Sequence, residues 1–200
     1  MTRFLLILSL CAVVMPLTAP AAETPVIEDP ATALIIIDVQ AFYFPGGAVP
    51  LSEPEAASAM AGKLLAAFRE HGRTIVHVGH KVREGGDFHP DVAPRPGEAV
   101  VMKSEVNAFL GTDLLEILRQ AGIERVVICG MQTHMCVEGA VRAASDHGFT
   151  VMVPADACAT RDLKRDDIVV DAAAVHQATL STLDGVYAQV LDTESLLKAD

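Results

Sequence analysis

The stretch ALIIID, residues 33–38, decides the fold class. Its apolar run has no polar face, so it fits a strand that is buried on both sides. Strands of this kind occur in parallel sheets whose two faces are covered by helices. The closing aspartate stands where the strand ends, and ligands of such sheets bind at that edge.

Outward from this stretch, strand-like apolar runs alternate with runs of helical periodicity. Further strands are predicted at 74–79, 99–102, 125–129, 149–153 and 186–191. Helices are predicted from a Ser52 cap to Gly72, from a Thr112 cap to 120, and at 136–147, 166–183 and 194–198. The alternation predicts an α/β domain over 31–198, a three-layer, doubly wound fold with a six-stranded, mainly parallel sheet flanked by helices.

Residues 1–22 have the composition of a secretory signal peptide. Arg3 precedes an apolar run over 4–15, and Ala19-Pro20-Ala21 forms an A-x-A cleavage site. The run is short for a membrane span. We therefore expect an exported protein, periplasmic or secreted, with no stable membrane anchor after cleavage. Lipid attachment at Cys11 and an uncleaved N-terminal anchor stay open as alternatives.

The charge pattern argues against one class of partner. The chain has 15 Lys and Arg residues against 26 Asp and Glu residues, a formal net charge of -11, and no basic stripe. Because such a surface repels a phosphate backbone, we expect no nucleic acid partner. The expected partner is a small-molecule substrate.

Side chains from three strands are predicted to meet at the ligand-binding edge of the sheet. Asp38 follows the first strand, Lys103 follows the third, and Cys136 begins the helix after the fourth. An ammonium and a helix N-terminus favour the thiolate, a carboxylate can accept the thiol proton, and turn N–H groups can stabilise an oxyanion. The set predicts attack on an amide or ureide carbonyl through a thioester intermediate.

Each member also has a structural interpretation. Asp38 can be a turn residue, Lys103 a solvated edge residue and Cys136 a buried thiol. Their convergence at one edge is what favours catalysis. Cys129 closes an apolar strand and fits a structural thiol, whereas Cys158 fits a free, buried one. A Cys129–Cys136 disulfide remains a further alternative.

Four stretches resemble the isochorismatase-like cysteine hydrolase family, which also holds nicotinamidases and N-carbamoyl-amine amidohydrolases. They are LIIIDVQAFYFPGG (34–47), VVMKSEVNAFLGTDL (100–114), VVICGMQTHMCVEGAVRAASDHGFTVMVPADACAT (126–160) and VHQATLSTLDG (175–185). The ordered Asp, Lys and G-x-x-T-x-x-C-V set is the specific part of the resemblance.

The resemblance assigns roles to individual residues. It implies Cys136 as nucleophile, Asp38 as general base and Lys103 as the charge-positioning partner. It also implies a cis peptide at Met131–Gln132, whose use is to aim the N–H of Gln132, together with that of Cys136, at the oxyanion. No cofactor is implied.

Four more residues are expected to line the substrate pocket: Gln40, Phe44, His80 and Thr133. For two of them, a role outside the pocket stays open. Gln40 fits a surface residue after the strand, and His80 fits a structural hydrogen-bonding residue. One member of the aromatic cluster 42–44 is expected to pack in the core.

The metal motif of the familiar nicotinamidases is incomplete in this sequence. That pattern has Asp-x-His and further histidines close behind the second strand, where this chain has His80-Lys81. The motif-like stretch 87–90 lies well beyond the strand, and no second histidine follows it before Lys103. Because His ligands normally cluster, we expect no catalytic metal.

The expected activity is cysteine-dependent hydrolysis of a non-peptide C–N bond in a small molecule. Isochorismatase-type cleavage of a vinyl ether and metal-assisted, nicotinamidase-type hydrolysis stay open. So does a different class, an exported small-molecule-binding or thiol-redox protein, although the chain lacks the C-x-x-C pattern of redox exchange. The resemblance further implies a homo-oligomer, a dimer or a tetramer.

Overall fold

The computed structural model describes residues 25–198, which form a central parallel sheet with helices packed against it. The strands are β1 (Thr32–Ile37), β2 (Thr74–His80), β3 (Ala99–Lys103), β4 (Arg125–Met131), β5 (Thr150–Pro154), β6 (Cys158–Ala159), β7 (Leu163–Arg165), β8 (Ile168–Val170) and β9 (Gln189–Leu191). The helices are α1 (Pro54–Glu70), α2 (Leu114–Gln120), α3 (Glu138–Asp146), α4 (Ala172–Leu183) and α5 (Thr193–Leu197).

The strand order across the sheet is β3-β2-β1-β4-β5-β9, with β6 paired to the end of β4. Every pair in this sheet is parallel. Helix α1 packs against β1, β2 and β4, and α3 packs against β4 and β5. The predicted fold class is confirmed, and the short strand β6 is an addition to the six expected strands.

Strand β1 lies in the middle of the sheet because its side chains have no polar face. Ile35, Ile36 and Ile37 are completely buried. Full burial of one such side chain contributes about 1.5–3 kcal/mol to folding. The strand is therefore a rigid base for the aspartate that follows it.

The start of α1 differs from the prediction. Pro54 lies in the first turn, as expected, but it is the first helical residue, and the N-cap is Glu53 in a left-handed conformation with φ of +49°. Ser52 precedes the cap, and its backbone N–H donates to the Thr160 carbonyl at 2.8 Å. That bond ties the approach to α1 to the segment after β6.

The predicted helix over 166–183 starts too early. It begins at Ala172, and the Asp171 side chain caps it by accepting from the Ala174 N–H at 2.8 Å. The residues before it form an antiparallel hairpin of β7 and β8. The β-branched run 168–170 favours a strand, and Asp166, with φ of +55°, makes the turn. The last strand is likewise shorter than predicted, covering only Gln189–Leu191.

The predicted signal peptide, residues 1–22, lies outside the described residues. Within 25–198, none of the helices has both the length and the apolar character needed to cross a membrane. Export and signal cleavage therefore stay predictions from the sequence.

Candidate active site

The side chains of Asp38, Lys103 and Cys136 lie together at the carboxyl edge of the sheet. Lys103 Nζ is 2.7 Å from Asp38 Oδ2 and 3.2 Å from Cys136 Sγ. The residues are 0%, 1% and 4% exposed, so water is largely excluded from the cluster. A carboxylate, an ammonium and a thiol thus meet in a low-dielectric environment, where their interactions are strong.

Neighbouring strands set these positions. Lys103 ends β3 and is paired in register with His80, which ends β2. Asp38 follows Ile37 directly, and its backbone N–H donates to the Val78 carbonyl at 2.8 Å. Asp38 has φ of +50°, a left-handed conformation in which aspartate is enriched among the non-glycine residues.

A tight turn brings Cys136 to the same place. The Met131–Gln132 peptide is cis, as the resemblance implied. The next residues, Thr133–Val137, form a π-helical turn that contains Cys136 and continues into α3. The helical region therefore begins before residue 136, three residues earlier than predicted.

Gly130, just before this turn, permits the close approach of β4 to β1. Its φ is +121°, and an added Cβ would collide with the Ile37 carbonyl. A side chain at this position would push the turn away from the end of β1. The glycine of the predicted motif therefore sets the distance between the strand that carries Asp38 and the turn that carries Cys136.

Lys103 also orders the histidine beside it. Lys103 Nζ lies 3.0 Å from His80 Nδ1 and 3.2 Å from the Glu105 carbonyl, in addition to Asp38 and Cys136. An ammonium only donates hydrogen bonds, so Nδ1 of His80 accepts. A neutral His80 then carries its proton on Nε2.

The same atoms form the one described group that resembles a metal-ligand set. A carboxylate oxygen of Asp38, a ring nitrogen of His80 and Cys136 Sγ all lie within 4.8 Å of one another. Lys103 Nζ, however, is within 3.2 Å of an atom of each of them. Because a divalent ion would have to displace this buried ammonium, the residues fit a lysine-centred site better than a metal centre.

The electrostatics of the thiol differ from the sequence expectation. Burial, reinforced by the Asp38 charge, raises the pKa of Cys136 to about 12, although Lys103 opposes the rise. Burial also raises the pKa of Asp38 above its usual value, against the effect of Lys103. The thiolate is therefore not favoured at rest. The proton stays on sulfur beside a carboxylate whose basicity is increased.

Gln40 binds backbone groups with both ends of its amide. Its Oε1 accepts from the His80 N–H at 2.7 Å, and its Nε2 donates to the carbonyls of His80 at 3.1 Å and Gly86 at 2.6 Å. The side chain is completely buried. It therefore fixes the end of β2 and the loop that follows, which positions His80.

Phe44 and Thr133, predicted to line the pocket, have partners inside the protein. The Phe44 ring stacks on the His89 ring at 4.0 Å. The Thr133 hydroxyl lies 2.9 Å from Nδ1 of His176 in α4. These contacts hold the loop before α1 and the turn before Cys136, respectively.

Tyr43 and Arg161 lie at the site, although neither was named among the predicted site residues. Gln132 Nε2 donates to the Tyr43 hydroxyl at 3.2 Å, and Arg161 Nε donates to Gln132 Oε1 at 3.2 Å. Burial raises the pKa of Tyr43 to about 12, and the charges of Cys136 and Asp38 add to the rise. Arg161 lies two residues after β6, which pairs with the end of β4, and nothing in the sequence signalled this pairing.

The other described cysteines are separate from this cluster. Cys129 and Cys158 are buried and free, and Cys136 is free as well. The alternative of a Cys129–Cys136 disulfide is therefore wrong for this structure. Burial raises the pKa of Cys158 to about 12 and that of Cys129 well above its usual value, which suits unreactive thiols.

Residues 32–195 match the family model of the isochorismatase domain. The isochorismatase family protein YddQ of Bacillus subtilis is 42% identical over 178 residues, which are 84% of this chain and 99% of that one. Maleamate amidohydrolase of Pseudomonas putida is 27% identical over 192 residues, covering 83% of this chain and 85% of the enzyme. A crystal structure of an isochorismatase hydrolase from Oleispira antarctica, at 42% identity, gives a TM-score of 0.81 and covers 84% of this chain and 97% of its own. The chain therefore belongs to the isochorismatase family and is a hydrolase.

Proposed function

We propose that this hydrolase cleaves a non-peptide C–N bond, in an amide or a ureide of a small molecule, through a thioester on Cys136. The observation that carries the proposal is the buried contact of Lys103 Nζ with both Asp38, at 2.7 Å, and Cys136, at 3.2 Å. The similarity to maleamate amidohydrolase supports an amide as the bond that is broken.

In the first half of the reaction, Cys136 Sγ attacks the carbonyl carbon while its proton moves to Asp38. The C–S bond forms, and the carbonyl oxygen becomes an oxyanion near the backbone N–H groups of Gln132 and Cys136. When the oxyanion collapses, the C–N bond breaks. Asp38 then gives its proton to the leaving nitrogen, so an amine or ammonia departs and a thioester remains.

In the second half, a water oxygen attacks the thioester while Asp38 accepts a proton from that water molecule. The C–S bond breaks, and the proton held by Asp38 returns to Cys136 Sγ. Lys103 keeps its proton throughout, because its role is to hold the carboxylate in place and to stabilise the charge that develops on sulfur. Each proton taken up by Asp38 is returned within the same half-reaction.

The test is ammonia release from a panel of primary amides and ureides. We expect Cys136→Ala to lower kcat/KM by at least about 10³-fold, because the nucleophile is lost. The matched control is Cys158→Ala, which removes a buried, free cysteine outside the cluster and should change the rate by no more than about threefold. Rapid quenching of the wild type should leave an acyl group on the peptide that contains Cys136.

Equal activity of the wild type and Cys136→Ala would contradict the thioester mechanism. If that remaining activity disappeared with a chelator, a metal-assisted reaction would replace it. Activity without an acyl adduct on Cys136 would also count against the proposal, provided that the thioester is stable to the quench.

We also propose that the protein is exported and assembles as a homo-oligomer, a dimer or a tetramer. The proposal rests on the composition of residues 1–22 and on the family resemblance. N-terminal sequencing of the protein from its native cell tests the first part, and a cytoplasmic protein with an uncut N-terminus would contradict it. Light scattering tests the second part, and a monomer at micromolar concentration would contradict it.

A further inference from the structure

We propose that His176 is a positioning residue for the attack of Cys136, because it holds the turn that presents both proposed oxyanion donors. The inference rests on the proposed amide hydrolysis and adds a side chain of α4 to it. His176 forms no hydrogen bond with Asp38, Lys103 or Cys136, all of which the structure describes. Its effect on the reaction therefore passes through the turn over 132–137.

The turn over 132–137 is wide and lacks a side-chain cap. Thr133–Val137 form a π-helical turn, a rare conformation, and neither this turn nor the start of α3 has a side-chain hydrogen bond at its N-cap. The Gln132 carbonyl accepts from the N–H groups of Met135 and Val137, at 3.0 Å and 3.2 Å. The orientation of this helix start therefore depends on contacts with other elements.

Thr133, the first residue of the π-helical turn, is tied to α4. Its hydroxyl lies 2.9 Å from Nδ1 of His176. Thr133 is 0% exposed, so water cannot replace this bond if the imidazole is removed. Burial lowers the pKa of His176, which keeps the ring neutral at neutral pH. A neutral ring nitrogen and a hydroxyl can pair in either direction, so the bond forms with either tautomer.

The next residue of the turn is tied to a different element. Nδ1 of His134 lies 2.5 Å from the hydroxyl of Thr160, which follows β6. His134 is partly exposed, so water can replace a lost partner there, which is not possible at the fully buried Thr133. The turn therefore depends more strongly on His176 than on Thr160.

The two proposed oxyanion donors lie on either side of these bonds. The N–H of Gln132, directly before Thr133, has no acceptor among residues 25–198, and Cys136 follows three residues after Thr133. Such donors stabilise a transition state when their positions are fixed before the charge develops. A displacement of about 1 Å can lower the rate about 10²-fold. Loss of the His176 bond should therefore lower kcat and leave KM largely unchanged.

The first experiment measures kcat and KM for a primary amide that the wild type cleaves. His176→Leu should lower kcat by about 10–100-fold and change KM by no more than about threefold. His176→Asn should keep kcat within about fivefold of wild type, because the Asn amide can take the place of Nδ1 and pair with the hydroxyl. Thr160→Val should lower kcat by less than about tenfold, because its partner His134 is partly exposed.

Thr133→Val removes the same bond from the other side, and it also serves if His176→Leu does not fold. Its kcat should fall by about the same factor, and the double variant should fall little further, because both changes remove one interaction. The matched controls are His147→Leu, at an exposed histidine, and Thr179→Val, which removes a buried hydroxyl that donates to the Val175 carbonyl within α4. Both controls should keep kcat within about threefold.

Hydrogen exchange separates this inference from the proposed catalysis. Mass spectrometry of the peptide that contains residues 132–137 should show exchange at least about tenfold faster in His176→Leu and Thr133→Val than in the wild type. If the wild type cleaves no amide but exchange rises in this way, the proposed hydrolysis fails and the support of the turn by His176 stands. If kcat stays within about threefold in His176→Leu, or falls equally in His147→Leu, the positioning role of His176 is wrong.

Discussion

Two carboxylates, Glu98 just before β3 and Asp38 just after β1, each pair with a cationic side chain, and their pKa values move in opposite directions from their usual values. Arg69 binds Glu98 through two bonds, Nε to Oε1 at 2.7 Å and Nη2 to Oε2 at 2.9 Å. These bonds outweigh burial and lower the pKa of Glu98 to about 2. Lys103 contacts Asp38 through Oδ2 alone, and burial raises the pKa of Asp38.

The remaining partners explain the difference. Glu98 also accepts from the Arg95 N–H at 2.7 Å and contacts His77 Nε2 at 2.9 Å, so its oxygens are saturated. Asp38 Oδ1 has no hydrogen-bond partner among the described residues. A saturated carboxylate stabilises the fold, whereas one with a free oxygen beside the Cys136 thiol can accept a proton.

The largest expected effect comes from breaking the pair at the sheet edge. Lys103→Met should lower kcat/KM for amide hydrolysis by at least about 10³-fold, because the carboxylate loses its positioning charge. The matched change in the other pair, Arg69→Met, should keep activity within about threefold while lowering stability. Ammonia release by variants whose circular dichroism is native measures both.

One outcome would count against this distinction. Activity of Lys103→Met within about tenfold of the wild type would make Lys103–Asp38 another structural pair. If Lys103→Met fails to fold, Lys103→Arg serves instead. A planar guanidinium cannot place one charge among three side chains as an ammonium does, so its activity should also fall sharply.

The second prediction concerns the pH dependence of thiol alkylation. Because the pKa of Cys136 is raised to about 12, its rate of reaction with iodoacetamide should rise about tenfold per pH unit from pH 7 to pH 10, without a plateau. Mass spectrometry of the Cys136 peptide follows the reaction in Cys129→Ala, Cys158→Ala protein. A plateau near pH 7 would indicate a resting thiolate, as the sequence had suggested.

The third prediction concerns stability. Glu98→Gln should lower the free energy of unfolding by about 1–3 kcal/mol at pH 7, because charge-assisted bonds to Arg69 and His77 are weakened. Its catalytic rate should stay within about threefold of wild type. The control is Glu138→Gln, which weakens a pair with Arg142 on the surface of α3 and should cost about 0.5 kcal/mol or less. Urea unfolding measures both values.

The smallest expected effect is the pH dependence of the difference in unfolding free energy between the wild type and Glu98→Gln. The pKa of Glu98 is lowered from 4.5 to about 2 on folding, so its contribution is complete above pH 4.5 and is lost as pH falls toward 2. Asp38 has the opposite sign, since its pKa is raised above 3.8 and its charged form opposes folding as pH rises above that value. The free energies of unfolding of the wild type and of Glu98→Gln should therefore converge near pH 2. A difference that stays constant from pH 6 to pH 2 would contradict this account.

Periodicity and strand ends predicted the fold and brought Asp38, Lys103 and Cys136 to one edge, because parallel strands share their carboxyl edge. The hairpin before α4 was missed, since the run 168–170 is as apolar as a helix face and the true cap is Asp171. Attention to β-branched residues after two aspartates would have placed the turn correctly.

The contacts between side chains could not be predicted in the same way. The bonds of Gln132 to Tyr43 and Arg161 join positions 89 and 29 residues apart in sequence. The raised pKa of Cys136 depends on its burial, whereas the sequence showed only the favourable neighbours. Burial of a polar group is set by tertiary packing, so local pattern gives little warning of it.

The pairing of His80 with Lys103 and of Ile37 with Gly130 has a consequence for engineering. Adjacent strands are about 4.8 Å apart, so the spacing of Asp38, His80 and Lys103, which stand at strand ends, is inherited from the sheet. The two strands of the hairpin over 163–170, which contribute none of these groups, are then replaceable parts. Grafting them from relatives should change which molecule is accepted while leaving the chemical step intact.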